Sequence, residues 1–285
     1  MSRRAAQTGP GAMVLVAIEQ GFPQGERIVS DELALPILPL GSRIWVRLLR
    51  PVKRWLIRKT EAKVPGLWGA ITARKRYIDD ALTEHPAAAV VNLGAGFDTR
   101  AYRLPALSDA PVWEVDQPGS VDSKRSRLRK VLGGVPERVT LVPVDFDRED
   151  LGSSLAAAGH PPDAVTFFIL EGVTQYLSEA GFEATFGFLA RAAAGSRLVF
   201  TYTPRDFIEG AQLHGQPHLH KKMLGRNPLW HFGLDPDEVD GVLARYGWRT
   251  VEHLGYDELG ERYVKPTGRE LGWMAVERIV HAWKP

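Results

Sequence analysis

A largely apolar run, Val90-Val91-Asn92-Leu93, breaks into Gly94-Ala95-Gly96, and twenty residues beyond Gly96 a second apolar run closes on Asp116. Glycine at 94 and 96 permits positive φ and removes the side chains that would hold a ligand away from backbone N–H groups. A carboxylate ending the next strand lies at the ligand edge of an open α/β sheet, where it can accept hydrogen bonds from a ribose diol. A pyrophosphate dinucleotide asks for a third small residue three positions after the second glycine, and that place is held by Thr99. The spacing therefore reads as a site for a nucleoside without phosphates, adenosine foremost, and disfavours an NAD-dependent oxidoreductase. The plainer alternative is a tight strand-to-helix turn, with Asp116 capping the helix that follows Gln117-Pro118.

Four blocks in this order and spacing resemble the leucine carboxyl methyltransferase-like family: Leu93-Gly-Ala-Gly-Phe-Asp98-Thr-Arg100-Ala-Tyr-Arg103-Leu, Glu114-Val-Asp116-Gln117-Pro, Asp145-Phe146-Asp147 and Glu171-Gly-Val-Thr-Gln-Tyr176-Leu. These are class I S-adenosylmethionine (SAM) methyltransferases and include polyketide carboxyl O-methyltransferases. The resemblance runs from about residue 70 to the C-terminus. It implies SAM as cofactor, surrounded by Arg74, Gly94, Gly96, Asp98, Arg100, Asp116, Gln117, Asp145, Phe146 and Glu171. Within that set, Asp116 takes the ribose hydroxyls, and Gly94 and Gly96 touch the methionine and ribose through backbone. Asp145 accepts the adenine amino group beside Phe146, and Glu171 stands at the cofactor. Arg74 matches the arginine on the SAM carboxylate, a role that its neighbour Arg76 would also suit, since a guanidinium fork meets a carboxylate bidentately.

Each assignment has a bland counterpart. Asp145 or Asp147 could cap a helix beginning near Arg148. Glu171 ends the most hydrophobic run, Val165 to Leu170, where a buried carboxylate needs a partner, and a protein arginine would serve as well as a ligand. Arg74 and Arg76 could simply lie on a solvated helix face.

Methyl transfer from a sulfonium is an in-line displacement, so a protein contributes position and dryness more than covalent chemistry. No residue is marked as a catalyst; Arg76, Tyr176 and His214 are positioning candidates. His214, His218, His220 and His231 cluster in one segment, yet no acid or cysteine beside them completes the three ligands zinc requires, so no metal is expected. A carboxylate acceptor, with a pKa of about 4, needs orientation by cations rather than a base, whereas a phenol near about 10 needs deprotonation. Arg74, Arg76 and the stretch Arg43 to Lys59 supply cations. That stretch carries Arg43, Arg47, Arg50, Lys53, Arg54, Arg58 and Lys59 with no acid, interleaved with Trp45, Leu48, Leu49, Trp55, Leu56 and Ile57. Its readings are an anionic substrate, an acidic partner or a membrane surface, against a solvated helix face packed on the core. The expected activity is carboxyl O-methylation of a small, anionic acceptor. A phenol or hydroxyl, or a protein C-terminal carboxylate, is the alternative acceptor; a degenerate SAM-binding protein is the non-enzymatic one.

The elements around these residues follow from periodicity. The chain of 285 residues is 44% hydrophobic and 25% charged, with a net charge of +2 and no cysteine. It can bury a large core, offers no bulk attraction to nucleic acid, and contains neither disulfides nor thiolate sites. Lacking any apolar run near the about eighteen residues of a membrane span, it reads as cytoplasmic with no stable membrane association. Strands are expected at 88–93, 111–116, 139–145, 163–171, 196–203, 248–255 and 271–283. Helices should be opened by Pro118, by Ser178 and by Asp235-Pro236-Asp237-Glu238, with Gly195 and Gly247 as C-terminal caps. Alternating strands and helices imply an α/β, doubly wound, Rossmann-like seven-stranded sheet; the family resemblance makes its last strand antiparallel. Residues 1–85, helices broken by Pro36, Pro39, Pro51 and Pro65, read as a cap; residues 86–285 form the SAM-binding domain, with a loop-rich insertion at 204–234.

Overall fold

A computed structural model of the protein describes residues 9–285 apart from Asp147 and Trp273. The described residues form a seven-stranded sheet from β1 (Ala89–Leu93), β2 (Val112–Asp116), β3 (Val139–Pro143), β4 (Thr166–Leu170), β5 (Arg197–Tyr202), β6 (Arg249–Leu254) and β7 (Arg278–Trp283). Their order is β3-β2-β1-β4-β5-β7-β6. β1 through β5 pair in parallel, while β7 inserts antiparallel between β5 and β6. The winding direction reverses between β1 and β4, which opens a crevice beyond their carboxyl ends.

Helices α1 (Gly9–Glu19), α2 (Leu40–Leu49), α3 (Lys53–Glu61) and α4 (Leu67–Glu84) precede the sheet. They are followed by α5 (Arg100–Arg103), α6 (Pro118–Leu132), α7 (Leu151–Ala157), α8 (Glu179–Leu189), α9 (Arg205–Glu209), α10 (Pro217–Leu224), α11 (Val239–Arg245) and α12 (Tyr256–Leu259). The central strands β1, β2, β4 and β5 are covered on both faces and almost wholly buried, whereas the edge strand β6 is half exposed and carries Arg249, Glu252 and His253; alternate side chains of the central strands feed separate cores. Phe168 and Leu170 pack with Phe182, Phe186 and Leu189 of α8. Phe167 and Ile169 pack with Tyr77, Ile78 and Leu82 of α4. A third cluster joins Val16 and Ile18 of α1, Trp68 of α4 and Leu128 of α6, which fastens the N-terminal helices to the sheet-flanking ones.

Local chemistry matches the sequence where it decides an end. The Ser178 hydroxyl accepts from Gly181 N–H at 3.1 Å to open α8. Pro118 is the first residue of α6, and Gly247, at φ 73°, follows the end of α11.

Several boundaries differ from expectation. The last strand begins at Arg278 rather than 271, because Gly272 lies against the turn before α4, where a Cβ would sit 2.9 Å from Gly66 N. Gly195 has φ 86° but stands well past Leu189, in the turn entering β5, so it is not a helix cap. Asp235 makes no side-chain cap; its carboxylate receives Arg205 Nε at 2.8 Å, and Pro236–Glu238 form a 3-10 turn before α11. No helix opens near Arg148: α7 starts at Leu151, capped by Asp150, whose Oδ1 accepts from Ser153 N–H at 2.7 Å. Asp147 lies outside the described residues. The 204–234 insertion is not simply loop, since it holds α9 and α10 and is closed at its base by a bridge between Pro204 and Leu234.

Candidate active site

A cavity of about 890 Å³ occupies the crevice at the β1–β4 switch. One wall is Asn92 and the Gly94–Asp98 turn, with Asp116 and Ser120 beside it; another is Glu171, Gly172, Val173, Gln175 and Tyr176 after β4. Met13 and Leu15 of α1, Lys63, Val64, Leu67 and Ile71 at the start of α4, and His218, Leu219, Lys222, Met223, Leu229 and Trp230 of the insertion complete it. Cap and insertion thus meet over the sheet edge.

The glycine turn acts differently from the expectation of free N–H groups. Gly94 and Ala95 N–H both donate to Val115 C=O, at 2.7 and 3.1 Å, and Gly96 N–H donates to Asp116 Oδ2 at 2.6 Å. What the glycines provide is room. At Gly94, φ is 75° and a Cβ would fall 2.3 Å from Val173 Cγ2; at Gly96, φ is 42° and a Cβ would meet nothing nearer than 4.0 Å.

Asp116 lines this corner and is tied into it by backbone N–H groups. Its Oδ1 accepts from Gln117 N–H at 2.7 Å, one residue ahead of α6, whose N-cap, Gln117, makes no side-chain cap. Burial pushes its carboxyl above the ordinary value, against the pull of the Gly96 and Gln117 N–H groups. The Ser120 side chain also hydrogen-bonds this carboxylate, which lines the cavity.

Behind the turn lies a buried ionic network. Glu171 receives Arg74 Nε at 3.0 Å, Lys75 Nζ at 3.2 Å and Arg100 Nη1 at 2.7 Å. Arg74 Nη1 also donates to both oxygens of Glu277, at 2.5 and 2.6 Å. Arg100 binds Asp98 through its guanidinium and N–H, and Asp79 at 2.6 Å. Burial opposes ionisation of Glu171, yet Lys75, Arg100 and Arg74 bring its carboxyl down to about 2. The same contest ends with Asp98 well below the usual carboxylate range, chiefly because of Arg100. The protein-arginine reading of Glu171 therefore holds in this geometry. Arg74 Nη2 has no hydrogen bond to the described residues and faces Gly172, where a Cβ would lie 3.3 Å from it.

Other sequence-derived candidates fall elsewhere. Arg76 projects from the opposite side of α4, pairs with Asp80 at 2.8 Å and lines a separate, shallow pocket. His214 binds Asp206 at 2.9 Å outside the cavity lining. Asp145, Gln117 and Phe146 also lie outside the lining. Gln117 Nε2 stands 3.4 Å from Asp145 Oδ1, and Phe146 is buried in the sheet core. His218 lines the cavity, whereas His220 lies against Phe207, so the H-x-H pair does not converge.

Four lining residues were not singled out from the sequence. Glu277 follows an irregular segment and is held by Arg74 and by the Tyr256 hydroxyl, which donates to it at 3.2 Å. Lys63 and Lys222 line the cavity and make no ion pair with the described residues. Gln175 sits one residue before Tyr176 in a motif already recognised; it is 4% exposed, its backbone C=O accepts from His231 N–H at 2.7 Å, and neither its Oε1 nor the nearby Trp230 Nε1 has a hydrogen-bond partner among the described residues.

Known proteins agree with this architecture. A putative methyltransferase from Thermobifida fusca YX is 17% identical, with a TM-score of 0.56 over 81% of this chain and 88% of that one. A possible exported protein from Bordetella parapertussis, 16% identical, gives 0.55 over 100% and 99%. At such identities they show the fold alone. Among curated sequences, a "putative S-adenosyl-L-methionine-dependent methyltransferase" of Streptomyces avermitilis is 36% identical over 65% of this chain, and the match spans 64% of that protein's length. One of the same description from Mycolicibacterium paratuberculosis is 30% identical over 94% of this chain and 87% of its own. The leucine carboxyl methyltransferase profile matches residues 11–190, which takes in α1, the cap and the sheet through α8. With the sheet order, the glycine turn and Asp116 in place, the chain belongs to the leucine carboxyl methyltransferase family.

Proposed function

We propose that the protein is a SAM-dependent O-methyltransferase that esterifies a carboxylate on a small, largely apolar acceptor. The observation that carries this reading is one continuous cavity lined both by the Gly94–Asp116 corner and by two lysines, Lys63 and Lys222, that make no ion pair with the described residues. SAM would supply an electrophilic methyl group on its sulfonium. Asp116 would accept the ribose hydroxyls and Arg74 Nη2 the carboxylate, while the Gly96 position leaves space for the sugar. Asp145, at the end of β3, would serve the adenine amino group from the rim.

The acceptor end is walled by Met13, Leu15, Val64, Leu67, Met223 and Leu229, which exclude water and suit a hydrophobic body. Lys63 and Lys222 would orient the acceptor carboxylate. No base is required of the protein, because a carboxylate is ionised at neutral pH. This changes the cation assignment from the sequence reading: Arg76 lies outside the cavity, and Arg74 is largely neutralised by Glu171 and Glu277.

Calorimetry with SAM and with its demethylated product tests the cofactor; no binding of either ends this reading. Turnover with labelled SAM and candidate acids, followed by mass spectrometry, tests the acceptor. A product cleaved by mild base supports the ester, and a base-stable ether refutes it.

A further inference from the structure

We propose that the outer face of α2 and α3 docks the protein reversibly onto an anionic lipid surface. Leu40, Ile44, Trp45, Leu48, Val52 and Trp55 are 63, 50, 48, 71, 46 and 48% exposed. They are six of the ten markedly exposed large apolar side chains among the described residues, and a concentration of this kind marks an interaction site where scattered ones do not. Positions 40, 44, 48, 52 and 55 follow helical spacings of four and three, which places them in one stripe. The 3-10 turn Arg50–Val52 keeps the chain winding in the same sense from α2 into α3. Val46, Ile57 and the half-buried Leu56 pack the pair on the third core cluster, and the six exposed apolar side chains lie outside that contact.

Charge selects the occupant. Residues 43–59 carry seven cations and no acid; Arg50 and Lys53 turn back onto Ala17 and Phe22, and Arg47, Arg54, Arg58 and Lys59 are exposed. Of these, Arg54 alone makes an ion pair with a described residue, to Glu26 at 2.9 Å with Arg54 70% exposed, while Lys59 lies 4.5 Å over the Trp55 ring. A second copy docking through the same patch would set these cations against themselves, since a two-fold contact is self-complementary. A folded acidic protein would need a groove shaped for two tryptophans and a protruding Leu48. A bilayer needs no such shape: tryptophan settles at the headgroup level, the aliphatic side chains enter the acyl boundary, and arginine and lysine reach the phosphates. No described helix is long and apolar enough to cross a membrane, so the helices would lie in the plane of the interface. The cavity wall resumes at Lys63 and Val64, two residues after α3 ends, so docking would bring its acceptor end beside the lipid. The proposal does not depend on the catalytic reading.

Flotation of the full chain with phosphatidylcholine vesicles, with and without one-third phosphatidylglycerol, decides it. The protein should rise with the anionic vesicles and remain behind with the neutral ones, and raising salt should release it. Trp45→Ser with Leu48→Ser should abolish flotation with an unchanged melting temperature, because both side chains are exposed. Arg47→Ala should weaken binding about fivefold, equivalent to the ~1 kcal/mol that a basic side chain gains at such a surface. No flotation, equal flotation with both vesicle types, flotation indifferent to these variants, or a stable dimer dispersed by Leu48→Ser would each overturn the proposal.

Discussion

Replacing Glu171 with glutamine keeps the shape of the side chain and deletes the charge at the centre of the ionic network. Arg74 retains Glu277, and Arg100 retains Asp79 and Asp98, but Lys75 Nζ loses its one salt bridge among the described residues, at 3.2 Å to a carboxylate 7% exposed, and keeps only the more distant fields of Asp98 and Asp31. Removing one member of a buried pair costs about 3–5 kcal/mol, since the other is left uncompensated. Protonation gives a second route to the figure. The Glu171 carboxyl falls from an ordinary 4.5 to about 2 on folding, worth about 3 kcal/mol. A folded-state pKa below the unfolded one stabilises above the unfolded value, so this contribution is complete above about pH 5 and roughly halved near pH 3.3. The Glu171→Gln variant should therefore melt about 6–10 °C below the parent at pH 7, and the gap should narrow as pH falls from 4.5 toward 3. Scanning calorimetry across that range reads both effects, and adding Lys75→Met should return most of the lost stability. A gap under about 2 °C at pH 7, or one constant with pH, would refute the argument that charge at this position holds the network together.

Three further outcomes follow from the same geometry. Asp116→Ala should weaken SAM binding at least about a hundredfold by calorimetry, because two hydrogen bonds to a carboxylate are lost, each worth about 1.5–3 kcal/mol; retained micromolar affinity would remove the residue from the ribose role. Gly94→Ala should cost about 2–4 kcal/mol in urea denaturation, combining the left-handed backbone penalty with the clash against Val173, and a neutral result would mean that the turn shifts freely. Gln175→Leu removes a buried amide whose Oε1 has no partner among the described residues; its melting temperature should hold or rise while the acceptor KM increases about tenfold with the SAM Kd unchanged, and an unaltered KM would take Gln175 out of acceptor recognition.

Much of the fold was legible because the signals were periodic. Each expected strand is present and the insertion of β7 matches the family pattern, since fully covered strands are written as apolar runs. The error at 271–277 arose because a loop pressed against Gly66 is as apolar as a strand. Gly195 shows the same ambiguity, as positive φ serves a strand entry as readily as a helix end. At the site, the Gly94–Asp116 corner could be read from twenty residues of spacing. What Arg74 and Glu171 do could not, because Glu277 lies 203 positions from Arg74 and no local pattern ties them. Arg74 and Arg76, both cationic and two residues apart on one helix, differ only in the direction they face. The cations available to an acceptor come from the cap and the insertion, where no repeat reveals which side of a helix turns inward.

The Arg74–Glu277 pair sits where the chain turns toward β7, and β6 finds its only sheet neighbour in that same strand. During synthesis, the segment through β5 can emerge and begin to collapse while Arg74 lacks its second counter-ion and β6 has nothing to pair with. The pocket is thus a late product of translation: a ribosome that stalls before residue 277 releases a polypeptide with most of its hydrophobic centre and no finished place for a nucleoside.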